Sequence, residues 1–277
     1  MVSVSSFHLI YFVYPLVGII AGFFAGLLGL GGGIIIVPCL LLVFPYVGIN
    51  SEAHVHLAIG TSTAIVVMNL IVSALTHFKH RDNHILFPII KRIFLAPMIG
   101  AIIAVLIASH LPGTQLALIF GLIVFALAAR LLLIPRAVAA LPVPHTQWHW
   151  PPKIALHGVM GTFGTLSILM GSGGGIFMVP FFQHCKIPLR YATAMSVACG
   201  LPLALVGAIS YAIAGMSTTD LPDWTTGYIY WPAFIGVIIT SMLVAPLGVK
   251  VSRKLPEHIT RFIFIIMLIV IGLKMVV

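Results

Sequence analysis

The sequence predicts an all-α polytopic membrane protein built from two inverted repeats, each a broken-helix hairpin followed by three transmembrane helices. Three observations carry that reading. The 277 residues are 61% hydrophobic and only 7% charged, against about 25% charged in soluble domains. A glycine-rich break occurs twice, as "GLLGLGGGIIIVP" at 26–38 and "ILMGSGGGIFMVP" at 168–180, offset by 142 residues. Lys and Arg, which concentrate in cytoplasmic loops, have opposite biases in corresponding loops of the two halves.

The elements follow in order. The opening stretch "MVSVSSFHLIYFVYPLVGII" has no basic n-region and no small-residue cleavage site, so it reads as the start of a retained span rather than a signal peptide. Residues 8–28 and 34–47 are the arms of the first hairpin, with spans expected at about 54–78, 87–110 and 114–135, each long enough to cross roughly 30 Å of hydrocarbon. The segment "IPRAVAALPVPHTQWHWPPK" is rich in Pro and aromatic residues and suits a membrane interface. Its His145 and His149, interleaved with Trp148 and Trp150, read as an interfacial belt. A second hairpin (153–171 and 176–187) and spans at about 190–214, 229–250 and 257–277 complete the chain. The units are a first repeat over 1–140, an interfacial linker over 141–152 and a second repeat over 153–277.

Other echoes keep the same order. "IGTSTA" (59–64) answers "TAMSVA" (193–198), "APMIG" (96–100) answers "APLG" (245–248), and Leu111-Pro112 answers Leu255-Pro256. Four matches in sequence indicate an internal duplication. The loop "KHRDNHILFPIIKR" carries Lys79, Arg81, Lys91 and Arg92, whereas its counterpart "GMSTTDLPDWTTG" has Asp220 and Asp223 and no cation. The next pair reverses the bias: "HLPGT" is uncharged by Lys or Arg, and "KVSRKLPEHITR" carries Lys250, Arg253, Lys254 and Arg261. Opposed loops require an odd number of crossings per half, which the hairpins supply. Both termini then lie outside, with Lys274 near the outer end a mild exception.

Composition also excludes. The net charge of +9 belongs to loop cations obeying the positive-inside rule, so it does not indicate nucleic acid. Cys39, Cys185 and Cys199 form no CxxC and read as small core residues. Glu52, Asp82, Asp220, Asp223 and Glu257 are the only carboxylates, all in loops or at span ends. A carboxylate relay or a carboxylate-rich metal site at the midplane is therefore not expected, nor is any cofactor. If protons are the coupling ion, His157, His54 and His56 or the substrate's own proton are the candidates. Arg130 and Lys274 match in position and suit helix C-termini near the interface.

The breaks themselves point to function. Inside a bilayer, non-helical backbone survives only where protein buries it or a polar cavity hydrates it. Broken segments at matching positions of inverted halves build the substrate site of inverted-repeat transporters near the midplane. Helices restarting after each break offer free N–H groups and a positive dipole end, which favour an anion. The expected site comprises Gly31, Gly32 and Gly33 with Ser172, Gly173, Gly174 and Gly175, to which Thr61, Ser62, Asn69 and Ser196 add side-chain donors. The rival explanation, that small residues only allow helices to cross closely, accounts poorly for three consecutive glycines before an equally spaced Pro in both halves.

"GLLGLGGGIIIVP", "GSGGGIFMVP" and "GTSTA" resemble the sulfite exporter TauE/SafE family, also described as sulfonate uptake permeases, and the resemblance covers essentially the whole chain. It implies a multi-pass permease of the cytoplasmic membrane that moves sulfite, sulfoacetate or related organosulfur anions. Met195 stands where the first half has Thr61, so the two halves depart from strict equivalence. A channel or carrier for another small anion is the alternative reading. An intramembrane redox enzyme would need histidines paired at matched depth, and here they cluster at ends and loops.

Overall fold

The computed structural model describes residues 4–28, 32–49, 53–77, 87–133, 148–219, 221–252 and 257–276. The first half of the chain supplies α1 (Val4–Leu28), α2 (Gly33–Val43) with a 3-10 turn at Phe44–Val47, α3 (His54–His77), α4 (Phe87–Ile93), α5 (Leu95–His110) and α6 (Gly113–Leu133). The second supplies α7 (Lys153–Leu169), α8 (Gly175–His184), α9 (Leu189–Gly215), α10 (Trp231–Ser252) and α11 (Glu257–Val276). Among the described residues five stretches are long and apolar enough to cross a membrane: His54–Leu75, Phe87–His110, Gly113–Leu133, Tyr191–Gly215 and Trp231–Gly248. The protein is thus an all-α, multi-pass integral membrane protein. Its outward residues agree: Leu95, Ile99, Leu122, Ile239, Leu243 and Val270 all stand exposed, an arrangement that suits lipid and would be a liability in water.

The elements correspond closely to the expected hairpins and spans. One expected span, 87–110, is divided at Phe94 into α4 and α5. A second addition lies between α9 and α10, where Thr225–Thr226 (β1) and Ile229–Tyr230 (β2) pair antiparallel, Thr225 with Tyr230 and Thr226 with Ile229. Gly227 opens this two-residue turn at a φ of 54°, the place where a hairpin of this length favours glycine.

Packing partners are exchanged between the two halves. Helix α1 lies along α10 and α7 lies along α5, while α3 pairs with α9 and α6 with α11. The long crossings are made at glycines. A Cβ on Gly248 would strike the carbonyl of Phe23 on α1, and one on Gly100 would strike that of Gly161 on α7. Gly100 and Gly248 end the matching "APMIG" and "APLG" segments, so the same small-residue contact is used once in each half. Thr165 reinforces the α5–α7 crossing by donating to the Gly100 carbonyl at 3.1 Å.

Helix α3 forms the spine. Leu57, Ala58, Ile59, Thr61, Ser62, Thr63, Ile65 and Val66 are all buried on it, so its first half meets protein on every side, whereas α6 and α10 expose wide apolar faces. A helix apolar or polar-neutral all round in this way belongs at the centre of a bundle.

Candidate functional site

Both breaks have the same local geometry. Gly32 caps α2 at φ 78°, ψ −14°, and Gly174 caps α8 at φ 85°, ψ −18°. This left-handed conformation costs an ordinary L-residue about 1–2 kcal/mol, which is why the sequence places glycine there in each half. The carbonyl of Gly32 then receives the amides of Ile35 and Ile36 at 3.0 and 3.2 Å, and that of Gly174 the amides of Phe177 and Met178 at 3.2 and 2.9 Å. Gly33, Ile34, Gly175 and Ile176 therefore occupy the first-turn positions whose N–H groups have no intrahelical acceptor. In both helices a proline, Pro38 or Pro180, follows within the next turn and a half.

The breaks meet each other. A Cβ on Gly33 would run into the carbonyl oxygen of Gly171 and stand 2.8 Å from Cα of Ser172. Only two bare backbones can come this close. Val66 of α3 sits against both breaks, with Cγ2 3.0 Å from the Cβ position of Gly33 and Cγ1 2.7 Å from that of Gly173. Ser62, one turn earlier, donates its hydroxyl toward the carbonyls of Gly171 at 2.9 Å and Gly33 at 3.2 Å. One side chain thus ties the two non-helical segments to the spine and to each other.

The remaining predicted donors have separate roles. Thr61 is buried, and its Oγ1 accepts the backbone amide of Tyr230 at 3.0 Å. Thr63 bonds its own helix at the Ile59 carbonyl, 2.8 Å away, the local satisfaction common for hydroxyls in helices. Ser172 is buried and turns back, its Oγ 3.1 Å and its amide 2.8 Å from the Ser167 carbonyl. Those bonds close the C-terminal end of α7. Asn69 lies half-buried two turns beyond Ser62 on α3, and Ser196 is buried on α9. Gly31 lies outside the described residues, as do Glu52, Asp82, Asp220, Arg253, Lys254 and most of the linker.

The hairpin after α9 was not anticipated as part of the site. Tyr228, Ile229 and Tyr230 are buried, the Gly60 Cα abuts the Tyr228 carbonyl, and Tyr228 stacks on His56 with ring centroids 5.2 Å apart. Tyr230 packs edge-on against Tyr14 of α1 and Phe44 after α2, at 6.0 and 6.1 Å. The signal available in the sequence was "TTGYIY", a Gly-X turn flanked by β-branched and aromatic residues.

Of the candidate histidines, His56 is buried and its Nε2 lies 2.9 Å from the Ala108 carbonyl. His157 stands at the other crossing, with Nδ1 2.7 Å from the carbonyl of Lys153 and Nε2 3.1 Å from that of Arg92. Among the described residues no group of three His, Cys, Asp or Glu side chains lies together in a way that would hold a metal ion.

The family model of the sulfite exporter TauE/SafE matches residues 14–275, from the first hairpin to the last helix. The chain belongs to the TauE/SafE family. It is 32% identical over 260 residues to a probable membrane transporter protein of Haemophilus influenzae, covering 94% of this chain and 96% of that one. A probable membrane transporter protein of Methanocaldococcus jannaschii is 30% identical over 256 residues, covering 88% and 87% of the two chains. No solved structure matches the chain. The protein is accordingly a membrane transporter with a small-molecule substrate, and the TauE/SafE match runs through both glycine breaks and the spine between them.

Proposed function

We propose that this TauE/SafE protein is a secondary carrier of the cytoplasmic membrane for small sulfur-containing anions, sulfite or organosulfonates, bound where the two glycine breaks meet. The observation that carries the reading is the junction itself. Two left-handed glycine caps start two helices, and the backbones beside them touch across one buried serine. First-turn N–H groups and positive dipole ends at Gly33–Ile34 and Gly175–Ile176 favour a compact anion over a cation. An oxyanion with several acceptor oxygens can take N–H donors from both helices at once, while the Ser62 hydroxyl, already donating to the Gly171 and Gly33 carbonyls, holds the two breaks together. The family's description as a sulfite exporter is what attaches sulfur to this site, since the helix ends by themselves favour an anion of any chemistry.

In the state described, Gly32, Gly33 and residues 171–174 are buried, with Val66 packed against Gly33 and Gly173 and Leu70 against Gly173. We read this as the occluded arrangement. Access from either side follows from rocking one repeat against the other, with the α1–α10 and α5–α7 crossings as the moving contacts. Exchange of packing partners is what a two-fold relation between repeats produces, and the loop charges make that relation an inverted one. Opposed repeats give each face of the membrane an equivalent gate. Proton coupling in this scheme rests on His56 and His157 or on the substrate's own proton.

Flux of labelled sulfite into proteoliposomes tests the proposal, with sulfate and sulfoacetate as competitors and a pH gradient imposed or absent. Saturable sulfite flux that sulfoacetate inhibits and the gradient drives is the expected result. Flux of sulfate equal to that of sulfite, or no flux of any of the three, would remove sulfur from the proposal.

A further inference from the structure

A second site lies away from the breaks. The crossing of α5 and α7 leaves a groove of about 660 Å3, lined at one end by Lys91, Arg92 and His157 and along its length by Leu95, Ile99 and Ile103. We propose that this groove binds one anionic phospholipid, its headgroup phosphate on the cations and an acyl chain along α5.

Charge is the first argument. Lys91 and Arg92 are exposed in the last turn of α4, Lys153 starts α7 one turn before His157, and among the described residues no carboxylate lines the groove. Cations at the membrane surface between helices are what a lipid phosphate recognises. Length is the second. From Arg92 to Ile103 the chain rises eleven residues of nearly continuous helix, roughly 16 Å, close to the roughly 15 Å of hydrocarbon in one leaflet. The walls above the cations are apolar and outward-facing, with Leu95 56%, Ile99 50% and Ile103 45% exposed.

The floor supplies the third argument. Gly158 and Gly161 lie in the interior of α7, where glycine weakens a helix. A Cβ on Gly158 would meet nothing within 4 Å, and one on Gly161 only the Ala96 carbonyl at 3.5 Å. Protein packing therefore does not require these two glycines, unlike Gly100 and Gly164 in the same crossing, whose Cβ positions collide with backbone. Their missing side chains keep the groove deep enough for a hydrocarbon chain.

The test is native mass spectrometry of the full-length protein in detergent, titrated with dioleoylphosphatidylglycerol and with dioleoylphosphatidylcholine. The anionic lipid should bind one high-affinity site. The double variant Lys91→Gln/Arg92→Gln should weaken it about twenty-fivefold, from about fivefold per cation, and leave phosphatidylcholine unchanged. Lys186→Gln/Lys250→Gln, which removes equal charge elsewhere, should change neither. Gly158→Leu/Gly161→Leu, filling the groove, should weaken both lipids, and millimolar sulfite should not displace either. Equal affinity for the two lipids, phosphatidylglycerol binding unaffected by Lys91→Gln/Arg92→Gln, or displacement by sulfite would each overturn the proposal. The last result would make the groove a vestibule for the transported anion. If the leucine variant fails to fold, the glutamine variants decide alone.

Discussion

Gly33→Ala is the sharpest perturbation of the junction, because it adds one methyl group where two backbones touch. The new Cβ collides with the Gly171 carbonyl, and the Ser172 Cα at 2.8 Å must withdraw by about 0.6 Å to reach ordinary contact near 3.4 Å. Neither atom belongs to a flexible side chain, so no rotamer change relieves the strain. Overpacking of this kind costs about 1–3 kcal/mol, and part of that cost is the weakening of the Ser62 bond to the displaced Gly171 carbonyl. The control is the same substitution at Gly158, where nothing lies within 4 Å and the helix gains up to about 1 kcal/mol from alanine. Thermal unfolding of the purified protein in detergent, followed by intrinsic Trp fluorescence, should place Gly33→Ala below and Gly158→Ala at or above the parent. Sulfite flux in proteoliposomes should fall with the first and persist with the second. Equal stability and equal flux for Gly33→Ala would refute the close contact of the breaks and the site built on it.

Other consequences follow from the same contacts. Ser62→Ala removes the donor shared by the Gly33 and Gly171 carbonyls; leaving a buried acceptor unpaired costs about 1–3 kcal/mol, and flux should drop with insertion into the membrane intact, whereas Ser62→Thr should retain part of it. Thr61→Val keeps the volume and deletes the acceptor for the Tyr230 amide, so a similar loss of stability should appear as faster hydrogen exchange at 228–231 than in the parent. For topology, single cysteines at positions within 79–92 and 251–255, in a background lacking Cys39, Cys185 and Cys199, should react only with reagent on the cytoplasmic side. Labelling of one of these loops from outside would leave the exchanged packing in place but make the repeats parallel.

Much of the architecture was legible in the chain because a bilayer restricts the choices. Backbone polar groups in hydrocarbon must be satisfied within each segment, so apolar length translates directly into helices. The expected arms at 153–171 and 176–187 became α7 (Lys153–Leu169) and α8 (Gly175–His184), and the expected spans became α3, α6, α9, α10 and α11 within a few residues. Three glycines in an apolar run likewise announced each break, since no other residue takes up the left-handed cap at Gly32 and Gly174 so cheaply.

Side-chain roles were less legible, because they depend on which helices become neighbours. Ser62, Thr61 and Thr63 look alike in "GTSTA". Yet one bridges both breaks, one holds the Tyr230 hairpin and one bonds its own helix. Ser172, within the second glycine run, serves the end of α7. The burial of Tyr228 and Tyr230 was hidden for a related reason: a polar loop with "TTGYIY" folds inward only because Gly60 and Thr61 on α3 receive its backbone. The sequence by itself determined the class of protein, the helices and the two breaks, all of which follow from local composition in an apolar solvent. Only the tertiary structure decided that Gly33 abuts Gly171, that Ser62 joins them, and that Gly158 and Gly161 stand over an open groove. Contacts between residues more than a hundred positions apart are set by helix crossing, and no periodicity in the chain encodes them.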